Sequence, residues 1–288
     1  MQKDTNQNLS SYCDYNESFT VYDQVRQPYG LEDLIQIFKE TKTPLKDQKI
    51  LEGGFGTGAY INHFTDLVSE IYGVEGSKQG LEQALRKMGD KDNVNLQFGN
   101  ILKLSFPENN FDAYMVNQVL HHLDTEPTFP NLTTFLEEGK RVLKPGGVLT
   151  INTSTQKQLH PDTGVYWNYK YIPEAASELR SRYMPIDELC ARLKQLQFVN
   201  IKLTIPSGKI FNERYYNDPA IALEPVFQNG DSVYSFLTTE EYENGNARIK
   251  ASIEDGIVLE EMKRAAKCIA DIGESVIVSA RKPIIEEQ

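Results

Sequence analysis

Hydrophobic residues along this 288-residue chain follow two spacings that alternate from one segment to the next. Between Leu31 and Glu40 they recur every three to four positions, which is the spacing of one helix face. Compact apolar runs bounded by glycine, proline or polar residues predict strands between such segments. The predicted helices are 31–40, 59–69, 78–89, 128–143, 184–198 and a stretch within 237–256, and the predicted strands are 49–54, 70–77, 93–100, 111–120, 144–154, 199–206 and 274–283.

Strands that alternate with helices of this length predict βαβ units, and hence an α/β fold with a parallel sheet covered by helices on both faces. Ligands of such sheets bind beyond the carboxyl ends of the strands. The first predicted strand ends in a cluster of four glycines between Gly53 and Gly58. The sequence therefore predicts a ligand site where this glycine turn leaves the sheet.

The last two predicted strands are separated by residues 206–273, which is far longer than an ordinary connection. Part of this segment has helical spacing, with Thr238 or Thr239 as the N-cap and Glu241 close to the capping-box position. We interpret 206–273 as an insertion that either covers the substrate or forms a dimer contact.

Composition narrows the class of protein. The chain is 40% hydrophobic and 25% charged, as in an ordinary soluble globule, and its formal net charge is −11. The acidic balance disfavours a nucleic-acid partner. The three cysteines, Cys13, Cys190 and Cys268, are far apart and favour a reducing compartment. With no apolar leader and no run long enough to span a membrane, we expect a cytoplasmic protein without a membrane partner, either a monomer or a homodimer.

The glycine turn is typical of a nucleotide-containing ligand. Gly54 to Ala59 fits G-x-G-x-x-[GA], and Glu75 ends the second strand, where a carboxylate can accept hydrogen bonds from ribose hydroxyls. Both NAD and other adenosine-containing ligands fit the glycine pattern and this carboxylate. Glu52 lies just before the glycines, where it would repel a pyrophosphate but favour an ammonium or sulfonium group.

Five segments, taken in order, resemble the class I S-adenosylmethionine-dependent methyltransferases of the small-molecule type. They are LEGGFGTG, YGVEGS, GNILKLSF, FDAYMVNQVLHHL and RVLKPGGVL. The resemblance implies a Rossmann-like, doubly wound, seven-stranded sheet whose last strand, 276–280, is antiparallel and lies between the fifth and sixth. It implies a methyltransferase core at 41–205 and 274–285, with residues 1–40 forming an arm and a helix over the cofactor.

The same resemblance implies S-adenosylmethionine as cofactor, S-adenosylhomocysteine as product, and a set of cofactor contacts. The glycines would pass under the methionine part, Glu52 would lie near the ammonium group and Glu75 would bind the ribose. Asn100, where the family often has aspartate, and Ile101 would contact the adenine. The full implied set is Glu52, Gly53, Gly54, Gly56, Gly58, Glu75, Gly76, Ser77, Asn100, Ile101, Asn117 and Gln118.

Methyl transfer from a sulfonium needs a base only if the nucleophile arrives protonated. His121 and His122 follow the fourth strand at the ligand edge and are the candidate catalytic residues, with at most one facing the site. The alternative is a structural turn. The four histidines of the chain have no ligand spacing, so we predict no metal site.

Two aromatic segments supply candidate substrate contacts. Trp167 and Tyr171 follow the fifth strand, where an aromatic wall could hold a flat or cationic substrate. Tyr22 and Arg26 precede the first helix, where Tyr22 could cap the site and Arg26 could pair with a carboxylate. The alternative for Trp167 and Tyr171 is packing of a cover onto the core. The alternative for Tyr22 and Arg26 is a solvated surface arm.

We therefore predict a methyltransferase that acts on a small molecule by in-line displacement. Residues 117–120 read Asn-Gln-Val-Leu in place of the Asn-Pro-Pro-Tyr type of motif that similar enzymes use on bases or glutamine. The methylated atom stays open. The alternatives are an NAD(P)-dependent oxidoreductase, based on the GFGTGA turn, and a non-catalytic interaction protein with the methyltransferase fold.

Overall fold

The computed structural model describes residues 21–88 and 91–284, apart from the side chain of Tyr22. In this part of the chain seven strands form one sheet in the order β3-β2-β1-β4-β5-β7-β6. Strand β7 runs antiparallel to both neighbours, and the other neighbouring strands are parallel. The strands are β1 (Lys49–Gly53), β2 (Glu70–Glu75), β3 (Val94–Phe98), β4 (Phe111–Asn117), β5 (Leu143–Thr153), β6 (Val199–Thr204) and β7 (Val276–Arg281). The predicted fold class, including the antiparallel strand between the fifth and sixth, is confirmed.

The central strands carry the continuous apolar runs that a sheet covered on both faces requires. Ile50 of β1 pairs with Ile71 of β2 and with Ala113 of β4, and all three residues are fully buried. Strand β4 is buried from Phe111 to Val116. The central strands of the sheet therefore lie in the core of the molecule, with the β1–β4 junction fully enclosed.

Helices cover both faces of the sheet in the described residues. They are α1 (Tyr22–Val25), α2 (Leu31–Lys39), α3 (Ala59–Phe64), α4 (Lys78–Met88), α5 (Pro130–Val142), α6 (Pro173–Ser181), α7 (Ile186–Gln195), α8 (Glu213–Asn217), α9 (Pro225–Gly230), α10 (Thr239–Glu254) and α11 (Ile257–Ile272). One face is packed by α2, α3 and α4 and the other by α5 and α7. Short 3₁₀ helices lie at Leu45–Asp47, Leu120–His122, Trp167–Tyr171, Pro219–Leu223 and Ser232–Phe236.

Helix α3 is shorter than the sequence predicts, since it ends at Phe64 instead of continuing to residue 69. The side-chain amide of Asn93, just before β3, donates to the carbonyls of Thr65 and Val68 at 2.7 and 3.3 Å. Those carbonyls bond to a neighbouring loop rather than to a further helical turn. Apolar spacing alone does not reveal this competition for the backbone.

The segment 206–273 contains helices α8 to α11 and two of the 3₁₀ helices. It packs with α1, α6 and the segment 166–171 around an apolar cluster of its own. Helix α10 begins with a complete capping box, in which Thr238 is the N-cap and Glu241 bonds back to it. Among the described residues no helix is long and apolar enough to cross a membrane.

Candidate active site

A cavity of about 320 Å³ opens at the carboxyl ends of β1 to β4. Its floor consists of the loops that leave these four strands, and residues 26–29 together with Ile210 cover it. This is the sheet edge at which the sequence predicts a ligand. Of the predicted cofactor contacts, the cavity is lined by Glu52, Gly54, Gly56, Glu75, Gly76, Ser77, Asn100, Ile101, Asn117 and Gln118.

The glycine turn after β1 needs residues without a side chain. Gly54, Gly56 and Gly58 have φ values of 65°, 53° and 78°, in the left-handed region that favours glycine. A Cβ on Gly54 would lie 2.7 Å from Val119 Cγ2, and one on Gly58 would lie 2.3 Å from Met88 Cε. The turn therefore lets β1, the loop after β4 and helix α4 approach one another closely.

Gly53 and Gly58 are not among the residues that line the cavity. Gly53 belongs to β1, and a Cβ there would lie 2.7 Å from the Tyr114 hydroxyl. Gly58 is the N-cap of α3. Both glycines permit packing behind the turn, so we propose no direct ligand contact for them.

Glu75 connects the loops that follow β1 and β2. Its Oε2 accepts a hydrogen bond from the backbone N–H of Gly56, and its Oε1 accepts one from Ser77, both at 2.7 Å. Burial raises the pKa of this carboxyl, and the backbone N–H groups act in the opposite direction. Each carboxylate oxygen has a second lone pair, so further donors from a ligand can still be accommodated.

Glu52, the next-to-last residue of β1, is 1% exposed and belongs to the cavity wall. Its Oε1 accepts from Asn117 Nδ2 at 2.9 Å, while its Oε2 is buried without a partner in the part of the chain that the structure describes. Burial is the largest cause that raises the pKa of Glu52 to about 8. A carboxyl with one unused buried oxygen suits a cationic ligand group, which would stabilise the ionised form.

The loop after β3 supplies a polar and an apolar residue side by side. Asn100 uses its Oδ1 to accept from the N–H of Leu102 at 2.9 Å, and Ile101 is buried against the cavity. An amide edge beside an apolar surface suits a flat heterocycle with polar edges.

The two neighbouring histidines lie in the 3₁₀ helix that follows β4, but they face different places. His122 lines the cavity, whereas His121 stacks on Tyr183 with ring centroids 4.3 Å apart and is not among the cavity residues. Burial lowers the pKa of His122 to about 3, and that of His121 well below its ordinary value. Both imidazoles are therefore neutral at physiological pH.

Arg26 lies in the cavity wall and also binds the insertion. Its Nη2 lies 3.1 Å from Asp231 Oδ1, its Nε donates to the Gly230 carbonyl at 3.0 Å, and its guanidinium lies over the ring of Phe211. The side chains of Arg26 and Asp231 are 16% and 1% exposed. Arg26 is therefore largely buried and paired, and the alternative of a solvated surface arm does not hold for this residue.

Trp167 and Tyr171 are not brought to the cavity. Trp167 donates its indole N–H to the Tyr215 carbonyl at 3.3 Å, and the Tyr171 hydroxyl lies 2.6 Å from Ser252 Oγ. Both belong to the apolar cluster of the insertion. This is the packing role that the sequence left open, and we propose no substrate contact for either residue. The predicted contact of Tyr22 concerns its side chain, which lies outside the described part of the structure.

Sequence reasoning missed Tyr29, Tyr60 and Asn152 as cavity residues. The Tyr60 hydroxyl accepts from the backbone N–H of Tyr29 at 2.8 Å and donates to its carbonyl at 3.0 Å. Asn152 Nδ2 also donates to the Tyr29 carbonyl, at 3.2 Å. These bonds hold the segment before α2 against the cavity. They join residues that are far apart in the sequence, so no local sequence pattern predicts them.

Within residues 21–88 and 91–284, no group of three or more His, Cys, Asp or Glu side chains is placed to hold a metal ion. The polar groups of the cavity include two buried carboxyls, several amides and the backbone of a glycine turn.

Comparison with known proteins agrees with this geometry. Residues 51–151 match the family model described as a methyltransferase domain. These residues include the end of β1, the glycine turn, Glu75, the loop after β3 and the whole of β4. Residues 51–151 therefore carry a methyltransferase domain.

Relatives of known sequence and structure are also methyltransferases. An uncharacterized methyltransferase of Schizosaccharomyces pombe is 40% identical over 112 residues, which cover 35% of this chain and 38% of that protein. A demethylmenaquinone methyltransferase of a Geobacillus species is 26% identical over 55% of this chain and 74% of its own length. A solved structure from Anabaena variabilis, named for a methyltransferase of an antibiotic biosynthesis pathway, shares the fold with a TM-score of 0.68 and 18% identity over 88% of this chain and 98% of its own.

The atoms that line the cavity of this methyltransferase fit the predicted cofactor, S-adenosylmethionine. Its unpartnered Glu52 oxygen suits an ammonium group, its glycine turn leaves backbone within reach of a ligand, and Glu75 keeps lone pairs for hydroxyls. The two predicted alternatives, a nicotinamide-dependent oxidoreductase and a non-catalytic relative, gain nothing from these observations or from the relatives named above.

Proposed function

We propose that this methyltransferase transfers the methyl group of S-adenosylmethionine to a small-molecule acceptor by in-line displacement. The observation that carries the proposal is the pair of buried carboxyls on either side of one glycine turn. Glu52 has an unused buried oxygen, and Glu75 is oriented by two backbone N–H groups. This arrangement suits a ligand with an ammonium group at one end and ribose hydroxyls at the other.

In this proposal each cofactor part has a place. Glu52 and Asn117 bind the methionine end, Glu75 with Ser77 binds the ribose, and Asn100 with Ile101 binds the adenine. Gly54, Gly56 and Gly76 offer backbone surface between these positions. The assignment is supported by the presence of all these residues in the wall of one cavity.

The cofactor supplies the chemical driving force, because its leaving group is a neutral thioether. The residues of this chain have to align the acceptor and exclude water. His122 is the candidate base, since it is the member of the histidine pair that lines the cavity. A pKa lowered to about 3 makes it a weak base, which suits an acceptor whose proton becomes acidic only as the new bond to the methyl group forms. His121 stacks on Tyr183 and has a positioning role in the proposal.

The domain organisation belongs to the same proposal. The cofactor-binding core is assigned to 41–205 and 274–285, and the described residues of the segment 1–40 together with the insertion 206–273 are assigned to the cover of the cavity. Support comes from Arg26, Tyr29 and Ile210, which come from these two segments and line the cavity. The acceptor would then lie between core and insertion. The relative that methylates demethylmenaquinone, by its name, is consistent with a small-molecule acceptor.

Titration calorimetry with S-adenosylmethionine, S-adenosylhomocysteine and NADH tests the proposal. We expect micromolar binding of the first two ligands and none of NADH. Glu75→Ala should weaken S-adenosylhomocysteine binding by on the order of 1.5–3 kcal/mol, the scale for losing hydrogen bonds to a charged group.

The matched control is Glu82→Ala, which removes an exposed carboxylate of α4 whose partner is Arg86. It should bind S-adenosylhomocysteine like the wild type. Thermal melting of both variants shows that they are folded. Preference for NADH, or wild-type affinity in Glu75→Ala, would contradict the proposal.

A further inference from the structure

A second, smaller cavity of about 30 Å³ lies beside the cofactor cavity, on the side of the insertion. Arg26 and Gln118 line both cavities. The rest of its wall comes from residues that follow β4 and β5, from the tyrosines 166, 169 and 183, and from residues 229–232 of the insertion. A water-sized group needs roughly 10–15 Å³ of such space, so the cavity has room for one small polar group rather than for a whole molecule.

Gln118 stands at the junction of the two cavities in a strained conformation. Its φ is 55°, a value that residues with a side chain adopt rarely and that clusters at functional sites. Its backbone N–H donates to the Asn152 carbonyl at 2.8 Å, and its Oε1 accepts from the Tyr183 hydroxyl at 3.3 Å. The backbone and one end of the amide are therefore held in place.

The other end of that amide is unused. Gln118 Nε2 is buried and has no hydrogen-bond partner among residues 21–88 and 91–284. A buried donor without a partner costs roughly 1–3 kcal/mol. An oxygen of a bound molecule would remove that cost, so the position and strain of Gln118 indicate a ligand contact.

The wall of the smaller cavity is electrically balanced. Its charged residues are Arg26 and Asp231, which pair with each other at 3.1 Å. The Tyr169 hydroxyl donates to the same carboxylate, and burial keeps His121 neutral by lowering its pKa. The Arg26–Asp231 pair thus leaves no net charge in the wall to compensate an ionised ligand group, which would be costly to bury.

We propose that this smaller cavity, the acceptor chamber, receives an uncharged oxygen-bearing group of the methyl acceptor, a carbonyl or hydroxyl, through a hydrogen bond from Gln118 Nε2. The inference rests on the proposed function, since it places the acceptor beside the cofactor cavity. It makes Gln118 a substrate-binding residue rather than a cofactor contact. The acceptor class is then a neutral ketone, enol, phenol or alcohol, and not a compound that inserts an ammonium, carboxylate or phosphate group at this point.

Three isosteric probes test the charge preference: acetamide, acetate and acetamidinium. They have the same shape and carry zero, negative and positive charge, and each would place only its polar end in the chamber, with its methyl group towards the cofactor cavity. The probes are titrated by saturation-transfer NMR into protein already saturated with S-adenosylhomocysteine, whose binding is first verified by calorimetry. We expect a saturable signal from acetamide, and signals at least fivefold weaker from the two ions.

Variants of Gln118 test the contact itself. Gln118→Leu removes the donor, and Gln118→Asn shortens the side chain while tolerating the positive φ. Both should weaken acetamide binding about fivefold, the change expected for one neutral hydrogen bond. Gln195→Leu, at the exposed end of α7, is the matched control and should behave like the wild type.

The outcomes separate the two proposals. Absence of S-adenosylhomocysteine binding would overturn the proposed function. Binding of S-adenosylhomocysteine with a preference for either ion, with no acetamide signal, or with acetamide binding unchanged in both Gln118 variants would overturn the chamber inference alone.

Discussion

Two buried carboxyls at the cavity have different surroundings. Glu75 is held by backbone donors on both oxygens, which favour its ionised form and offset part of the burial that raises its pKa. Glu52 has one amide partner and one unused oxygen, so burial dominates and its pKa rises to about 8. The sequence predicts that both are at the site, because each ends a strand next to a glycine turn. It does not reveal this difference, which depends on which donors reach each carboxyl in the folded chain.

The raised pKa of Glu52 predicts proton release on cofactor binding. In the free protein the carboxyl is mostly protonated at pH 7, because its pKa of about 8 lies above that pH. An ammonium group bound beside it favours the ionised form, so binding should release close to one proton and strengthen as pH rises from 6 towards 8. Calorimetry of S-adenosylhomocysteine binding in two buffers of different ionisation enthalpy measures this proton.

Glu52→Gln provides the comparison for that measurement. The amide keeps the shape of the side chain but cannot ionise, so its binding should release no such proton and should lose the rise in affinity between pH 6 and 8. Equal proton release in the variant and the wild type would show that Glu52 is not the group concerned.

Among the helices and strands, hydrophobic spacing predicts where most elements lie along the chain, but it does not predict the residues at which they end. The sheet order follows once the βαβ pattern and the resemblance of the last strand are taken together. Helix α3 ends at Phe64, and the carbonyls of Thr65 and Val68 just beyond it accept from Asn93 instead of continuing the helix. Helices α6 and α11 were not individually predicted. Such features depend on contacts between segments, which spacing cannot show.

The junction between the glycine turn and α3 gives a prediction about stability. Gly58 and Gly256 both begin helices with φ near 75°, at 78° and 74°. A Cβ on Gly256 would meet nothing within 4 Å, whereas one on Gly58 would lie 2.3 Å from Met88 Cε and 3.1 Å from Ala84 Cβ. Gly256→Ala should cost about 1–2 kcal/mol, the left-handed penalty alone.

Gly58→Ala should cost about 1 kcal/mol more than that, because the flexible Met88 has to move and part of the overpacking stays. Urea denaturation at equilibrium measures both free energies of unfolding. If Gly58→Ala proves the milder of the two substitutions, the close packing of α3 against α4 is not what requires glycine there.

At the scale of the whole molecule, the core and its cover are joined by contacts over long sequence distances. Arg26 and Asp231 are 205 residues apart, and their pairing connects the segment before α2 to the insertion. From the sequence, Arg26 was predicted to pair with a carboxylate of a ligand. The residues around Asp231 in the sequence contain no signal that it would be the partner instead. The same limit applies to Trp167 and Tyr171, whose aromatic spacing fits a substrate wall and a packed cluster equally well.

Breaking the Arg26–Asp231 pair should destabilise the protein. Arg26→Leu leaves a carboxylate that is 1% exposed without its cation, which costs about 3 kcal/mol for a buried pair. Lys202→Leu removes an exposed pair with Glu40 and should cost less than about 1 kcal/mol. Unfolding in urea gives both values, and equal costs would contradict a buried role for Arg26.

In the proposed function, one cavity binds S-adenosylmethionine between Glu52 and Glu75. A crystal structure of the protein with S-adenosylhomocysteine is the decisive measurement. We expect ribose hydroxyls within hydrogen-bond distance of Glu75, the ammonium group at Glu52, and the adenine against Ile101. A cofactor bound elsewhere, or bound here with its ammonium group away from Glu52, would contradict it.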